Sequence, residues 1–278
     1  MAFERLIRFV DQDDQKIYGY LETSLPADQI VGLEVQVISG SLEAGFVRTD
    51  QRATVKKLLS PLEDIHPPSV LCAGLNYHEH IKETHGTATT KPTIFMTPAE
   101  RLIGPLDDIL AHDDGQPMLD YEGELAFVLG KDAKNVSEAD ALSYVLGYLV
   151  GNDVSARNLV TMEVAYNQMG HSKSFDSFGP VGPCVVSTKL IPDPQNLHLV
   201  TKVNGEIRQD AHTSDMVWSV AQIIAWLSKN RTLKKGTVIM TGTPCGVGWH
   251  SGGLLRNGDL VEVEISGIGT IQNRVTFI

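Results

Sequence analysis

The chain has 278 residues, 42% hydrophobic and 21% charged, which is ordinary globular usage and sets aside both a disordered polymer and a disulfide-stapled miniature fold. Its 34 acidic residues against 23 basic ones leave a formal charge of −11, a sign that repels phosphate backbones and anionic lipid and so argues against nucleic acid or a membrane surface as partner. The longest apolar run, residues 145–150, is interrupted by Gly147 and falls far short of the roughly 20 residues a membrane helix needs.

Acidic residues Glu4, Asp11, Asp13 and Asp14 stand where a presequence is apolar or basic, so a cytoplasmic chain is expected. Leu6 to Val10, a polar turn at Asp13-Asp14-Gln15, and Ile17 to Leu21 predict a hairpin. Val55, Leu58, Leu59 and Leu62 recur at helical spacing, and His66-Pro67-Pro68 is a stiff breaker. A domain boundary is therefore placed there, giving a small N-terminal α/β unit over residues 1–66 and a main domain over 67–278.

Ser69 to Gly74 reads as a short buried strand, whereas Asn76 to His85 has too few apolar residues for a core helix and reads as a surface element or lid. Ser137 with Asp140 three residues on resembles a capping box. The clearest helix runs from Ser214 to about Lys229, with Met216, Val220, Ile223, Ile224 and Leu227 on one face. The last third is β-rich: Thr237 to Thr241, then Val261, Val263 and Ile265 alternating with polar neighbours, a Gly267-Ile268-Gly269 turn, and Ile271, Val275 and Phe277. The balance is α+β and mainly β. Cys72, Cys184 and Cys245 are widely spaced with no CxxC, and are expected as buried free thiols.

Glu122 and Glu124, two apart ahead of the apolar run Leu125 to Leu129, share one face of a strand. Gly123 lies between them, and the run after them reads as buried on both faces, which draws the carboxylates inward. Glu262 and Glu264 are a control, because valines claim their inner face and leave both acids to water. Asp153 closes a second apolar run. Were the three acids to converge, each pair at about 4 Å and an effective dielectric of 20 would repel by about 4 kcal/mol, on the order of 12 in all. A divalent ion relieves that repulsion. Three hard oxygen ligands and no nearby Cys favour Mg²⁺ or Mn²⁺, the alternative being exposed strand acids with no metal.

Arg157 and Lys173 are either holders of an anionic substrate beside that ion or surface ion-pair partners. His80 and Glu83 at i, i+3 would pair on a helical turn as a general-base dyad, with His78 a competitor for the role. The sequence carries no P-loop ending and no G-x-S-x-G elbow.

Together Gly74-Leu75-Asn76-Tyr77 with His80 and Glu83, Asp120-Tyr121-Glu122-Gly123-Glu124, Gly151-Asn152-Asp153-Val154-Ser155-Ala156-Arg157, Lys173-Ser174-Phe175-Asp176, and Thr241-Gly242-Thr243-Pro244 with Gly246-Val247-Gly248 resemble the fumarylacetoacetate hydrolase family over roughly residues 68–278. The resemblance implies a rolled mixed β-sheet and a homodimer. It implies Mg²⁺ or Mn²⁺ on Glu122, Glu124 and Asp153, Lys173 on the substrate or its enolate, Arg157 and Thr243 lining the pocket, and His80 with Glu83 as the base on a segment that orders over ligand. It further implies an enzyme acting on a small anionic 2-oxo or 2,4-dioxo acid. Hydrolytic or decarboxylative cleavage of an acylpyruvate- or oxaloacetate-like substrate leads. Keto–enol isomerisation of a 2-hydroxy-dienoate or oxaloacetate is the alternative, and a non-catalytic scaffold that binds metal and ligand is the reading of another class.

Overall fold

The computed structural model of the protein describes residues 3–62 and 65–278. The larger of two facing sheets contains β1 (Arg5–Val10), β2 (Lys16–Tyr20), β3 (Glu34–Ser41), β4 (Gly45–Thr54), β5 (Val70–Gly74), β6 (Thr93–Thr97), β7 (Gly123–Leu129), β8 (Val145–Asn152), β9 (Gly179–Ser187) and β12 (Val238–Met240). Their order across it is β4-β3-β2-β1-β9-β8-β7-β12-β5-β6. The smaller sheet runs β11 (Glu206–His212), β10 (His198–Val203), β13 (Leu260–Ile265), β14 (Gly269–Phe277) and then Ile109–Ala111. Most neighbours are antiparallel, while β12 with β5 and β14 with Ile109–Ala111 are parallel. The fold is thus mainly β with mixed sheets, as expected. Among the described residues no helix is long and apolar enough to cross a membrane.

β7 and β8 are buried along their whole length. Leu125, Phe127 and Leu129 of β7 join the core under the smaller sheet, while Ala126 and Val128 join the core on the other side with Cys72, Val181 and Met240. This two-sided burial explains the unbroken apolar run. Two glycines permit the close packing. A Cβ on Gly123 would overlap Thr201 Oγ1 of the smaller sheet, and one on Gly147 would lie 2.5 Å from the Val186 carbonyl oxygen of β9.

The hairpin at the start forms as read, with Phe9 opposite Ile17, and the last strands pair through the turn at Gly267. The helix expected over residues 55–62 does not exist. Lys57–Leu59 is a strand on β1 with Leu58 opposite Phe9, and the four apolar residues are buried, Leu58 and Leu59 from that strand and Leu62 from the turn after it. Pro61 lies inside the helical spacing and disfavours helix at the residue before it. Among its described residues the N-terminal unit is therefore mainly β, with a helical turn at Ala27–Ile30. Through β1 it continues the main sheet at β9, with Leu6 opposite Val185.

The long helix also begins later than its periodicity indicates. α2 spans Val220–Ser228, capped by Ser219 in a reciprocal box with Gln222. Residues 217 and 218 form a bend held by Asn76, whose carbonyl and side-chain oxygens accept from the Val217 and Trp218 N–H groups. Ser137 does cap, but for a short element: the turn Glu138–Ala141 passes into a 3-10 turn, Leu142–Tyr144, before the chain enters β8. Glu264 of the control pair is exposed and Glu262 half-buried.

Cys245 departs from expectation: it is partly exposed, while Cys72 and Cys184 are buried. Burial pushes all three thiols up, so none is a thiolate at neutral pH. Ellman's reagent is expected to titrate one thiol in the native protein and all 3 cysteines after denaturation, and Cys245→Ser to abolish the native signal. Gly147→Ala is expected to destabilise by about 1–3 kcal/mol in urea unfolding, because the clash is with backbone that cannot rotate away.

Candidate active site

Strand register brings the three acids together. β7 and β8 pair with Glu124 opposite Gly151 and Gly123 opposite Asn152. One further step sets Glu122 against Asp153, whose N–H donates to the Glu122 carbonyl at 2.8 Å. Glu122 and Glu124 point away from the smaller sheet, the alternation that Gly123 implied. One carboxylate oxygen from each of Glu122, Glu124 and Asp153 lies within 4.8 Å of the others, and all three residues are buried. On the far edge of β7, the chain leaving β12 presents the Gly242 N–H to Glu124 Oε2 at 2.7 Å.

The cations are buried with them, which settles the surface alternative for Arg157 and Lys173 against it. Lys173 Nζ donates to Glu122 Oε2 at 2.7 Å and to Asp153 Oδ2 at 2.6 Å. Arg157 donates through Nη2 to Glu122 Oε1 at 2.5 Å and through Nε to Asp120 Oδ2 at 2.8 Å. Two further members escaped sequence reasoning. Arg101, fully buried, donates from Nη1 to Asp153 Oδ1 at 2.6 Å. It lies in a stretch with no periodic or motif signal. Asp120 accepts from Arg157 and also from the backbone N–H groups of Gly248 and Trp249 at 2.7 and 3.0 Å, so it ties the 243–250 loop to the site. Its place two residues before Glu122 was the available signal, since three alternating acids share one face.

These contacts set the charges. Burial pushes the Glu122 carboxyl up, but Lys173 and Arg157 outweigh it and hold it at about 2. Among the described residues no cation is bonded to Glu124, and burial together with the charges of Asp153 and Glu122 raises its carboxyl well above the usual range. The four carboxylates and three cations therefore balance only when Glu124 carries a proton. A divalent ion fits this arrangement, because the donor set is three hard oxygens and the proton it would displace is the one electrostatics places there. With the ion bound and Glu124 ionised the cluster has one positive charge in excess, the sign an anionic substrate requires.

The histidine pair faces this cluster. α1 (His78–Glu83) buries His80 and Ile81 and leaves His78 exposed. The segment expected as a solvated lid is thus packed over its first half. Asn76 and Tyr77 are buried as well, while residues 85–91 are exposed. His80 Nδ1 lies 2.7 Å from Glu83 Oε2, and Glu83 Oε1 accepts the Gly246 N–H at 2.9 Å. Burial raises the Glu83 carboxyl, but these two hydrogen bonds outweigh it and hold it below its ordinary value. Glu83 is then an acceptor at neutral pH, which makes Nδ1 the donor and leaves Nε2 as the basic nitrogen. His80, Glu122, Arg157, Lys173 and Thr243 all line one cavity of about 500 Å³, and His78 does not. Thr243 donates to the Gly123 carbonyl at 3.0 Å and accepts from Gln209.

A family model described as fumarylacetoacetate (FAA) hydrolase C-terminal matches residues 69–276. Oxaloacetate tautomerase fahd2, mitochondrial, of Xenopus laevis is 41% identical over 220 residues, 78% of this chain and 68% of its own. Oxaloacetate tautomerase YisK of Bacillus subtilis is 38% identical over 211 residues, 74% of this chain and 69% of its own. The crystal structure of 2-hydroxyhepta-2,4-diene-1,7-dioate isomerase from Mycobacterium marinum is similar with a TM-score of 0.82 at 34% identity, covering 99% of this chain and 98% of that one. Fold and site together define an enzyme built on paired sheets with a buried carboxylate cluster. The chain belongs to the fumarylacetoacetate hydrolase family.

Calorimetric titration with Mn²⁺ is expected to show release of about one proton per ion bound, with affinity weakening as the pH is lowered, because acid protonates Glu124. Glu122→Ala is expected to abolish binding. Undiminished binding in that variant would take the triad out of the site.

Proposed function

We propose that the protein is a divalent-metal-dependent enzyme, with Mg²⁺ or Mn²⁺ on Glu122, Glu124 and Asp153, that interconverts the keto and enol forms of a small 2-oxo acid. The observation that carries this is the placing of one oriented base, His80 Nε2, on the same cavity as a charge-stabilising cluster. Keto–enol exchange moves one proton and needs those two things. The names of the relatives, tautomerases and an isomerase, support the same reading.

The ion, when bound, supplies Lewis-acid polarisation of the substrate oxygens. The remaining work falls to the protein's own side chains. Arg157 spends Nε and Nη2 on Asp120 and Glu122, and its Nη1 has no partner among the described residues, so it is available to the substrate carboxylate. Lys173, bonded to two carboxylates, has a third N–H to give to the oxygen on which charge develops. His80 Nε2 takes a proton from the carbon beside the carbonyl, and Glu83 stabilises the imidazolium that forms. The same imidazolium returns the proton to oxygen. Thr243 shapes the wall beside Gly123.

Hydrolytic C–C cleavage, the leading expectation from sequence, shares the first stage and needs a second proton carrier for the attacking water. His250 offers one, its ring centroid 6.3 Å from that of His80 on the same cavity, and on that observation cleavage stands as the second reading. Decarboxylation uses the same charge stabilisation without the water. A binding scaffold has no use for an oriented base, and the His80–Glu83 pair weighs against it.

The test is a parallel assay on oxaloacetate and acetylpyruvate, following enol absorbance, pyruvate release and CO₂ release. Loss of the enol signal faster than either product appears is the expected result. His80→Ala is expected to lower kcat by about 10²-fold or more with Mn²⁺ affinity near wild type. Glu83→Gln is expected to lower it by a smaller factor. Full activity in His80→Ala would remove the base from this description.

A further inference from the structure

β11 lies at the edge of the smaller sheet, and of its 7 residues only Gln209 is buried. An inward strand position normally carries an apolar side chain that joins the core. Here it carries an amide, 1% exposed, whose hydrogen bonds run to the site. Gln209 Oε1 accepts the Gly123 N–H at 3.0 Å, and Nε2 donates to Thr243 Oγ1 at 2.7 Å and to the Pro244 carbonyl at 2.9 Å. Thr243 Oγ1 in turn donates to the Gly123 carbonyl. The ring so closed takes in both peptide groups that join Glu122 to Glu124.

Strand pairing explains why a ring is needed there. β12 pairs with β7 from Val128 to Ala126, and the Thr241 N–H reaches the Leu125 carbonyl. Among the described residues, backbone pairing on that edge therefore stops short of Gly123. Gln209 and Thr243 take its place, satisfying a buried N–H and carbonyl and fixing the two peptide planes. Turning either plane would change the direction in which Glu122 or Glu124 leaves the strand. The same amide holds the loop beyond. Pro244 is bonded to Gln209, and Gly246, at φ 99°, sits so close to the carbonyl of the adjacent Arg208 that a Cβ would overlap that oxygen. That loop gives its Gly242 N–H to Glu124 and its Gly246 N–H to Glu83.

We propose that Gln209 is a positioning residue that sets the Glu122–Glu124 pair and the His80–Glu83 base in register with each other. It does not line the cavity, and it acts through Gly123 and the 243–246 loop. This rests on the metal-dependent reading above and deepens it, because it names what fixes the spacing of the ligands and the orientation of the base.

The test is Gln209→Met, which keeps the length and volume of the side chain and removes the amide. Loss of an outer partner of a metal site costs about 10- to 100-fold in metal affinity or activity, and a fall in that range is expected both in Mn²⁺ affinity by calorimetry and in kcat on oxaloacetate or acetylpyruvate. Exchange of the Gly246 amide with deuterium in the metal-free protein is expected to speed up by about fivefold or more, the net worth of one hydrogen bond. Asn273→Leu is the matched control: Asn273 is equally buried in the same sheet and donates to the Gly104 and Asp107 carbonyls, which do not line the cavity. It is expected to lower stability in urea and to leave Mn²⁺ affinity, kcat and Gly246 exchange unchanged. If Gln209→Met does not fold, Thr243→Val breaks the ring from its other end and is expected to weaken Mn²⁺ binding in the same range, while Thr243→Ser, which keeps the hydroxyl, binds as wild type. Wild-type Mn²⁺ affinity or wild-type Gly246 exchange in folded Gln209→Met, or equal losses in Asn273→Leu, overturns the proposal. Absence of Mn²⁺ binding by the wild-type protein overturns the metal reading and the proposal with it. Mn²⁺ binding without turnover of either acid overturns the oxo-acid reading alone, and Mn²⁺ affinity and Gly246 exchange then decide the role of Gln209.

Discussion

A buried carboxylate must either meet a positive group or give up its charge, and the arrangement around Glu122, Glu124 and Asp153 follows from that requirement. Removing one partner from such a set leaves an uncompensated charge in the interior, so the set is held as a unit. Lys173 bridges two of the acids, Arg157 serves Glu122 and Asp120 together, and Arg101 holds Asp153 from behind. Glu124 is left over. Its raised carboxyl marks where the protein's own cations stop and where the proposed divalent ion would complete the compensation.

The scaffold divides the work between strands and loops. The acids sit on or immediately beside β7 and β8, where backbone pairing fixes their spacing independently of the side chains. The cations and the base arrive on short turns and loops: Arg157 after Ser155–Ala156, Lys173 after Met169–Ser172, His80 on α1. Side-chain to backbone bonds then lock these pieces to one another. Glu83 joins α1 to Gly246, Asp120 joins Gly248 and Trp249 to Arg157, and Asp215 accepts the Glu79 N–H at the start of α1. The candidate site is thus cross-linked by hydrogen bonds where charge is stored, and a fully exposed run of chain, residues 85–91, follows α1.

Much of this was legible in the chain because it obeys short periods. The acid pair at i, i+2, the closing hairpin and the His80–Glu83 spacing depend only on residues a few positions apart, and each appears where the pattern put it. The misreadings came where two periods or two partners compete. Val55, Leu58, Leu59 and Leu62 satisfy helical spacing, yet the open edge of β1 and the constraint of Pro61 make a strand of Lys57–Leu59. α2 starts at its Ser219 box because Asn76, 142 positions away from Trp218, claims the backbone before it. Arg101 gave no signal at all, since what makes it part of the site is a contact 52 positions distant.

The sequence by itself determined the mainly β character, the family motifs and the inward-facing acid pair Glu122 and Glu124, because those rest on residue chemistry and local alternation. Only the tertiary structure decided that Arg157 and Lys173 are interior, that His80 and not His78 faces the cavity, and that Arg101 stands behind Asp153. Each of those depends on which distant segments the sheet register brings within hydrogen-bond or van der Waals reach, and separation along the chain carries no record of it.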